Sequence, residues 1–171
     1  MPKNTQFWIQ HLNLKQHPEG GYFREVYKSD EFIQKKGLPD RYSSFRSFST
    51  SIYFLLESKN FSAFHRIKSD ETWHFYQGSP LSIYIILKNG KLITVNLGQN
   101  PDNKELFQFT IPKGSWFAAT PILSKSYSLM GCTVAPGFDF DDFEMGKKSK
   151  LLLLYPQHSR LINLYTLPDS Q

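Results

Sequence analysis

A succession of short β-favouring runs between residues 50 and 134 is the feature that most constrains the fold of this chain. Eight runs of five to eight residues alternate with turns, at 51–56, 61–67, 72–76, 81–87, 91–97, 106–111, 115–119 and 127–134. Such close spacing, with helical patterns only near the chain ends, predicts an antiparallel sandwich or barrel. We expect the strands to follow one another as a β meander. Asn89-Gly90 predicts a hairpin with a type I′ turn, since both central residues of that turn need positive φ.

The segments on either side of these runs predict two helical regions and one long loop. Residues 4–14 combine a candidate N-cap at Asn4 or Thr5 with apolar residues at helical spacing, which predicts a short helix. A first strand is expected over 22–27, and the polar stretch 28–48 predicts a long loop. Residues 148–167 predict a broken helix, interrupted by a proline, that packs on the outside.

The composition limits the class of protein. With 171 residues, 16% aromatic and 20% charged, we expect one compact globular domain spanning 1–171. The lysines and arginines behind the net charge of +5 are scattered, so we expect no nucleic-acid partner. Cys132 stands alone, which excludes an intrachain disulfide. There is no leader-like segment and no apolar run near the roughly 20 residues of a membrane span, so we expect a cytoplasmic protein without a membrane partner.

Residues 64–78 place titratable groups among apolar ones and form the first candidate site. Period-two alternation puts His65 on an apolar strand face, and it puts Glu71 on the face of the next strand that carries Trp73. By the same argument His74 lies on the opposite face. If His65 and Glu71 both point inward, they form a base with its orienting carboxylate, a pair that holds a polar ligand, or a buried pair without chemistry. The sequence alone does not distinguish between these alternatives.

The stretch 17–25 is the second candidate site. A glycine pair allows a tight backbone path into the strand 22–27, on which Tyr22 and Arg24 share one face. There an arginine fork can hold a phosphate or a carboxylate. A solvent-facing arginine at a strand edge is the alternative.

Aromatic residues supply further candidates for ligand contact. Trp73, Phe75 and Phe117 predict either a stacking wall for a ligand or ordinary core packing. Residues 135–143 alternate aromatic and acidic side chains after a Pro-Gly turn. They predict a loop that covers the mouth of the barrel.

Several of these residues together resemble known motifs. The spacing of His65, Glu71 and Gly78 resembles the first cupin motif, and Pro112 with Gly114 resembles the second. Longer strings are HPEGGYF at 17–23, SDETWHFY at 69–76 and APGFDF at 135–140. With them the chain resembles an uncharacterised subgroup of the cupin superfamily, distantly similar to dTDP-sugar 3,5-epimerases. The resemblance implies a mainly β, double-stranded β-helix jelly roll, usually a homodimer, with a ligand cavity between its two sheets.

Two metal-ligand positions of the cupin motifs are apolar in this chain. Ile67 and Phe117 stand where metal-binding cupins have histidines, so only His65 and Glu71 remain of the usual ligands. A divalent ion normally needs three or more protein ligands, so we expect no metal and no cofactor. The epimerases that the chain resembles need no metal and use a histidine base assisted by an acid, with a tyrosine as proton donor.

Three hypotheses about function follow. The first is a metal-independent isomerase or epimerase acting on a carbohydrate or a nucleotide-linked sugar. In it His65 abstracts a proton next to a carbonyl, and Glu71 orients His65 or holds a ligand hydroxyl. The expected ligand-binding residues are Tyr22, Arg24, Trp73, Phe75 and Phe117. The second hypothesis is a cavity that binds a small metabolite without catalysis, and the third is a metalloprotein using His65, Glu71 and His74, which the alternation of faces opposes.

Overall fold

The computed structural model describes residues 4–169, in which antiparallel strands carry most of the regular structure. The strands of this range are β1 Lys15–Gln16, β2 Tyr22–Lys28, β3 Phe32–Ile33, β4 Arg46–Ser47, β5 Thr50–Glu57, β6 Ser62–Arg66, β7 Asp70–Gly78, β8 Leu81–Ile86, β9 Leu92–Leu97, β10 Gln108–Ile111, β11 Trp116–Pro121, β12 Tyr127–Ala135 and β13 Glu144–Met145. The α-helices are α1 Thr5–His11, α2 Lys148–Leu154 and α3 Ser159–Tyr165. None of the described helices has the length and apolar character needed to cross a bilayer.

Two sheets face each other, and consecutive strands cross between them. One sheet has the order β1-β2-β5-β12-β7-β10, and the other has the order β13-β6-β11-β8-β9. From β5 onward only the step from β8 to β9 stays within one sheet. The prediction of a β meander is therefore wrong, because a meander keeps successive strands side by side. The double-stranded β-helix jelly roll implied by the resemblance is confirmed.

The predicted hairpin is present, but its turn is of another type. Strands β8 and β9 pair from Leu81↔Leu97 to Ile86↔Leu92. In the turn the Leu87 N–H donates to Lys91 O at 2.9 Å, and the Gly90 N–H donates to Leu87 O at 2.8 Å. Gly90 has φ of +81°, whereas Asn89 is not among the positive-φ residues of the described chain. This is the pattern of a three-residue loop in which only the glycine is left-handed, not of a type I′ turn.

Both predicted helical regions are confirmed. The Asn4 side-chain oxygen caps α1 by accepting a 2.9 Å hydrogen bond from the Phe7 N–H. Helix α2 stops before Pro156, which opens a single tight turn ahead of α3. A proline lacks the N–H that would continue the helix ladder. Leu151 of α2 and Ile162 of α3 are fully buried against the outer face of the five-stranded sheet.

Apolar residues fill both sides of the two sheets. The main core lies between them and includes Phe54, Trp73, Phe75, Ile83, Ile85, Phe117 and Met130. A second cluster lies under α2 and α3, and a third lies under α1 around Leu14, Leu55 and Leu129. Each fully buried side chain of this size contributes about 1.5–3 kcal/mol. The third cluster shows that the six-stranded sheet is apolar on its outer face as well, where α1 covers it.

The long loop over 28–48 is confirmed, and it contains a small hairpin of β3 and β4. A buried ion pair ties this loop to the segment that covers the space between the sheets. Arg46 donates two hydrogen bonds to the Asp142 carboxylate, at 2.7 and 2.6 Å. Both side chains are almost completely buried. The pair therefore fixes residues 138–143, which supply rings to the cavity described next.

Candidate functional site

A cavity between the two sheets gathers several buried titratable groups. Its volume is about 80 Å³, which is enough for several waters or for a part of a small organic molecule. Its titratable lining consists of His17, Glu19, Glu25, His65, Glu71 and Cys132. Its aromatic lining consists of Phe23, Phe54, Trp73, Phe138, Phe140 and Phe143.

His65 on β6 and Glu71 on β7 reach this cavity from opposite sheets. On β6, Phe64 points outward into the cluster under α2 and α3, so that alternation turns His65 inward. On β7, Glu71 and Trp73 share the inward face. His65 is 2% exposed and Glu71 is 9% exposed. The structure thus brings the two predicted catalytic side chains to the wall of one cavity.

Glu19, absent from the predicted site, is the direct partner of His65. Its Oε2 lies 3.0 Å from His65 Nε2, and its Oε1 accepts a 2.8 Å hydrogen bond from Ser62 Oγ. The second ring nitrogen, Nδ1, lies 2.7 Å from the Ala63 carbonyl oxygen. A carbonyl can only accept, so Nδ1 carries a proton and donates it. Both nitrogens of His65 are therefore engaged by the protein.

A glycine turn brings Glu19 to this position. Gly20 has φ of +112°, and a Cβ added there would lie 2.2 Å from the Phe61 carbonyl oxygen. The carbonyl of Glu19 accepts a 2.8 Å hydrogen bond from the Ala63 N–H, which ties the turn to β6. The glycine pair was visible in the sequence. It indicates close backbone approach, however, and not which side chain the turn delivers.

Replacing Gly20 with alanine is expected to destabilise the protein by about 3 kcal/mol or more, since positive φ is combined with a backbone clash. Gly90→Ala is the matched control, because Gly90 has φ of +81° but an added Cβ there comes no closer than 3.6 Å to Gln157. We expect it to lose only about 1–2 kcal/mol. Urea unfolding measures both values. Equal losses would show that the contact with Phe61 does not fix the turn.

Glu71 is the carboxyl whose protonation the cavity alters most. Burial disfavours its charged form and the Glu19 carboxylate repels it, so that the pKa of Glu71 rises from 4.5 to about 7. His65, Trp73 and Cys132 lower this pKa, but more weakly. Although Trp73 is close enough to act on the carboxyl, its Nε1 has no hydrogen bond of ordinary geometry in the described part of the chain. A carboxyl with this pKa can take up and release a proton at neutral pH.

Glu19 also sets the charges of the two cavity histidines. Burial lowers the pKa of His65, but the adjacent Glu19 carboxylate outweighs burial, so the net shift is upward. Burial raises the pKa of Glu19, yet His65 holds it below its ordinary value. For His17, burial outweighs Glu19 and lowers the pKa. Its Nδ1 accepts a 3.3 Å hydrogen bond from the Glu19 N–H, so the neutral His17 ring carries its proton on Nε2.

Of the three predicted aromatic residues, only Trp73 lines the cavity. Phe75 lies two residues farther along β7 and packs in the main core, as does Phe117 on β11. The Phe117 ring centroid is 4.0 Å from that of His65 and 6.1 Å from that of Trp73. Phe117 therefore packs behind the two rings, and neither Phe117 nor Phe75 lines the cavity.

Tyr22 and Arg24 lie on the outer face of β2, away from the cavity. Tyr22 packs on the cluster under α1, and Arg24 is exposed and donates a 3.1 Å hydrogen bond to the Leu12 carbonyl. The cavity face of β2 carries Phe23 and Glu25 instead. Tyr22 and Arg24 share a face, as alternation requires, but it is the outer face of the strand and not the face that lines the cavity. Helix α1 offers Tyr22 an apolar surface on the outside, which the strand sequence does not reveal.

Comparison with known proteins agrees with this architecture. Residues 6–146 match the sequence family described as Cupin superfamily (DUF985). The chain belongs to the cupin superfamily. This cupin is 27% identical over 150 residues to the uncharacterized protein YML079W of Saccharomyces cerevisiae, a match that covers 82% of this cupin and 74% of the yeast protein.

Solved structures of similar shape come from several organisms. Protein SO0799 from Shewanella oneidensis has a TM-score of 0.88 and 38% identity, covering 97% of this cupin and 99% of that chain. A hypothetical protein from Leishmania major has a TM-score of 0.86 and 35% identity, covering 95% and 98%. Oxalate decarboxylase from Bacillus subtilis has a TM-score of 0.54 at 14% identity, covering 91% of this cupin and 40% of that chain. At that identity the likeness shows the fold alone.

The cavity side chains do not fit a resident divalent metal ion. Neither ring nitrogen of His65 is free, since Glu19 faces Nε2 and the Ala63 carbonyl faces Nδ1. Among residues 4–169, no cluster of three or more histidine, cysteine, aspartate or glutamate side chains is arranged to hold a metal ion. His74, a ligand in the third hypothesis, lies on the other face of β7. Its ring nitrogens are 3.1 Å from Gln108 Oε1 and 3.2 Å from Thr133 Oγ1.

Proposed function

We propose that this cupin catalyses a metal-independent proton transfer next to a carbonyl group, as an isomerase or epimerase of a small carbohydrate-like compound. The observation that carries the proposal is Glu71, a buried carboxyl with a pKa of about 7 on the wall of the cavity between the two sheets. Structural carboxyls are usually kept ionised by a cationic partner. Glu71 is instead held close to half-protonation at neutral pH, which suits acid–base chemistry.

Glu71 is the group that moves the proton. Its ionised form takes a proton from the carbon next to the carbonyl. The electron pair of the broken C–H bond forms the double bond of an enediolate, and the carbonyl oxygen takes the negative charge. The protonated Glu71 then delivers the proton to the neighbouring carbon, while the proton of the adjacent hydroxyl passes to the enediolate oxygen, which completes an isomerisation. An epimerisation needs in addition an acid that delivers a proton to the opposite face of the first carbon. General acid–base catalysis of this kind contributes about 10²–10⁴-fold to the rate.

His65 has a different role from the base that the sequence suggested. With Nε2 held by Glu19 and Nδ1 held by Ala63, the ring has no free lone pair for a substrate. The ion pair instead sets the electrostatic field at Glu71, whose pKa Glu19 raises and His65 lowers. In this proposal His65 and Glu19 are positioning residues.

Two N–H groups on the cavity wall are available to stabilise the enediolate oxygen. Neutral His17 carries a proton on Nε2, and the Trp73 indole N–H lies near Glu71 without a hydrogen bond of ordinary geometry among the described residues. Both side chains line the cavity together with Glu71. Loss of one preorganised donor to a developing oxyanion typically slows a reaction by about 10²–10³-fold.

The size and surroundings of the cavity favour a free small molecule over a nucleotide-linked sugar. The enclosed volume of about 80 Å³ accommodates the reacting part of a ligand. Arg24, the residue expected to bind an anionic group, lies on the outer face of the sheet. A nucleotide would therefore have to lie outside the cavity without that arginine.

Binding without catalysis is the second candidate, and one observation favours it. Because both nitrogens of His65 are engaged, the cavity lacks the free imidazole base of the original hypothesis. Under this alternative Glu71 serves only to hold a polar group of the ligand. Native mass spectrometry would then return the ligand chemically unchanged.

Deuterium incorporation from heavy water separates the two candidates. The protein is incubated with a panel of small aldoses, ketoses and amino-carbonyl compounds, and exchange next to the carbonyl is followed by NMR. We expect enzyme-dependent exchange in one compound class. Arg24→Ala is the matched control for a contaminating activity, because it lies outside the cavity and should exchange at the wild-type rate. A folded protein that exchanges no member of the panel would favour the binding-only alternative.

A further inference from the structure

We infer that the cavity selects a small organic cation, such as a compound carrying an ammonium group, over neutral and anionic compounds of the same shape. This inference deepens the proposed function by naming the charge class of the substrate, and it rests on that function only for the statement that the ligand is a substrate. It stands on two features of the lining, its charges and its rings.

The charged lining of the cavity is acidic. Three carboxyls line it, from Glu19, Glu25 and Glu71, whereas no lysine or arginine lines it in the described chain. The charge of Glu19 is balanced by His65 at 3.0 Å. Glu71 is buried and has no such balance from His17, which burial keeps neutral, while Glu25 adds an exposed carboxylate at the edge of the cavity. A cation entering the cavity is therefore attracted, and an anion is repelled in a poorly solvated site.

Aromatic rings form much of the remaining wall. Phe138, Phe140 and Phe143 come from the segment that covers the mouth, while Phe23 and Trp73 come from the strands behind it. The centroids of Phe138 and Phe140 are 5.1 Å apart with nearly perpendicular rings. Those of Phe140 and Phe143 are 6.2 Å apart at 70°. A cation that lies over the face of one of these rings is attracted by about 0.5–2 kcal/mol.

A basic groove on the outer surface is the strongest competing site, and three of the five cations that line it are paired with carboxylates. Arg66 forms an ion pair with Glu144, and Lys68 lies 3.2 Å from a carboxylate oxygen of Asp142. Lys113 lies 3.5 Å from Asp70. These three pairs reduce the positive charge that the groove offers to an anion.

Binding of a cation is expected to displace the proton of Glu71. The titratable groups around Glu71 are Glu19 from the turn before β2, His65 from β6 and Cys132 from β12. Glu25 and His17 line the same cavity. A positive charge added among them favours the ionised carboxylate. The affinity for a cation therefore rises with pH through about 7, and binding at pH 7 releases a fraction of a proton.

Calorimetric titration with three probes of one shape tests the inference. The probes are choline, its neutral isostere with a tert-butyl group in place of trimethylammonium, and the corresponding tert-butyl carboxylate. At pH 8 we expect choline to bind about tenfold or more tightly than the neutral isostere, and the carboxylate to bind most weakly. Titrations in buffers of different ionisation enthalpy measure the released proton.

Substitutions of cavity residues test whether the preference for a cation comes from the residues that line the cavity. Glu71→Gln is expected to weaken choline binding by about tenfold and to abolish its dependence on pH. Phe140→Leu should weaken choline severalfold and the neutral isostere little. Phe107→Leu is the matched control, because Phe107 is 65% exposed and does not line the cavity.

The possible outcomes separate this inference from the proposed function. Equal or weaker binding of choline than of the neutral isostere overturns the charge selectivity, even if deuterium exchange has identified an enzyme. Charge-selective binding without any exchange supports the inference and overturns the isomerase.

Discussion

Replacing Glu71 with glutamine is expected to abolish deuterium exchange while making the protein more stable at alkaline pH. The amide keeps the shape of the side chain but cannot carry the proton, so exchange should fall by about 10²–10⁴-fold. An ordinary structural residue shows the opposite pattern, since its loss lowers stability. A gain in stability together with a loss of activity therefore points to a residue that is retained for chemistry.

The sign of the stability change follows from the pKa of Glu71. In the folded chain it is about 7, against an ordinary value of 4.5. Between these values the folded state binds more protons than the unfolded state, so the free energy of unfolding falls as pH rises. The loss of stability caused by ionising Glu71 is absent below pH 4.5 and complete above pH 7. It amounts to at most about 3 kcal/mol. Because Glu71→Gln has no carboxyl at position 71, it does not undergo this pH-dependent loss of stability.

Urea unfolding at pH 5 and pH 8 measures this effect. We expect the free energy of unfolding of Glu71→Gln, relative to that of the wild type, to increase by up to about 3 kcal/mol from pH 5 to pH 8. Glu31→Gln makes the same chemical change on an exposed side chain, and it should stay within about 0.5 kcal/mol at both. If Glu71→Gln exchanges deuterium at the wild-type rate, or loses stability equally at both pH values, then Glu71 is not the proton carrier.

Local alternation predicted the strands and the inward position of His65 and Glu71. It succeeded on β7 because Trp73 and Phe75 of the inward face belong to the main core, and on β6 because Phe64 packs outward under α2 and α3 and leaves His65 on the inner face. It failed on β2, where aromatic residues stand on both faces and α1 buries Tyr22 on the outside. The order of the strands failed for a related reason. Alternation within a strand says which residues share a face, but not in which sheet the next strand lies.

The partners of the cavity histidines could not be predicted from strand patterns at all. Glu19 and His17 precede β2 and belong to no strand, and the turn at Gly20 determines where their side chains point. A contact between residues 19 and 65 depends on how the chain crosses from one sheet to the other. The contacts among the cavity side chains can therefore be identified only from the folded structure, which brings these distant segments together. The expected homodimer and cytoplasmic location stay predictions.

Removing the buried arginine that holds the covering segment should have the largest effect on stability. Arg46→Ala leaves the Asp142 carboxylate almost fully buried, with Lys68 at 3.2 Å as its remaining ion-pair partner. Breaking one side of a buried pair typically costs about 3–5 kcal/mol. Because Asp142 belongs to the segment that carries Phe140 and Phe143, we also expect faster hydrogen exchange of the amides at 142 and 143, whose N–H groups donate to carbonyls within the segment.

A double variant distinguishes the lost pair from a lost contact. Arg46→Met with Asp142→Leu removes both charges and keeps apolar volume, so it should recover most of the stability that Arg46→Ala loses. Lys150→Ala is the surface control: its ammonium lies 3.0 Å from Glu144, but both partners are exposed, and we expect a loss of no more than about 1 kcal/mol. A double variant as unstable as Arg46→Ala would mean that the many hydrogen bonds of Arg46, and not its charge balance with Asp142, hold the segment over the cavity.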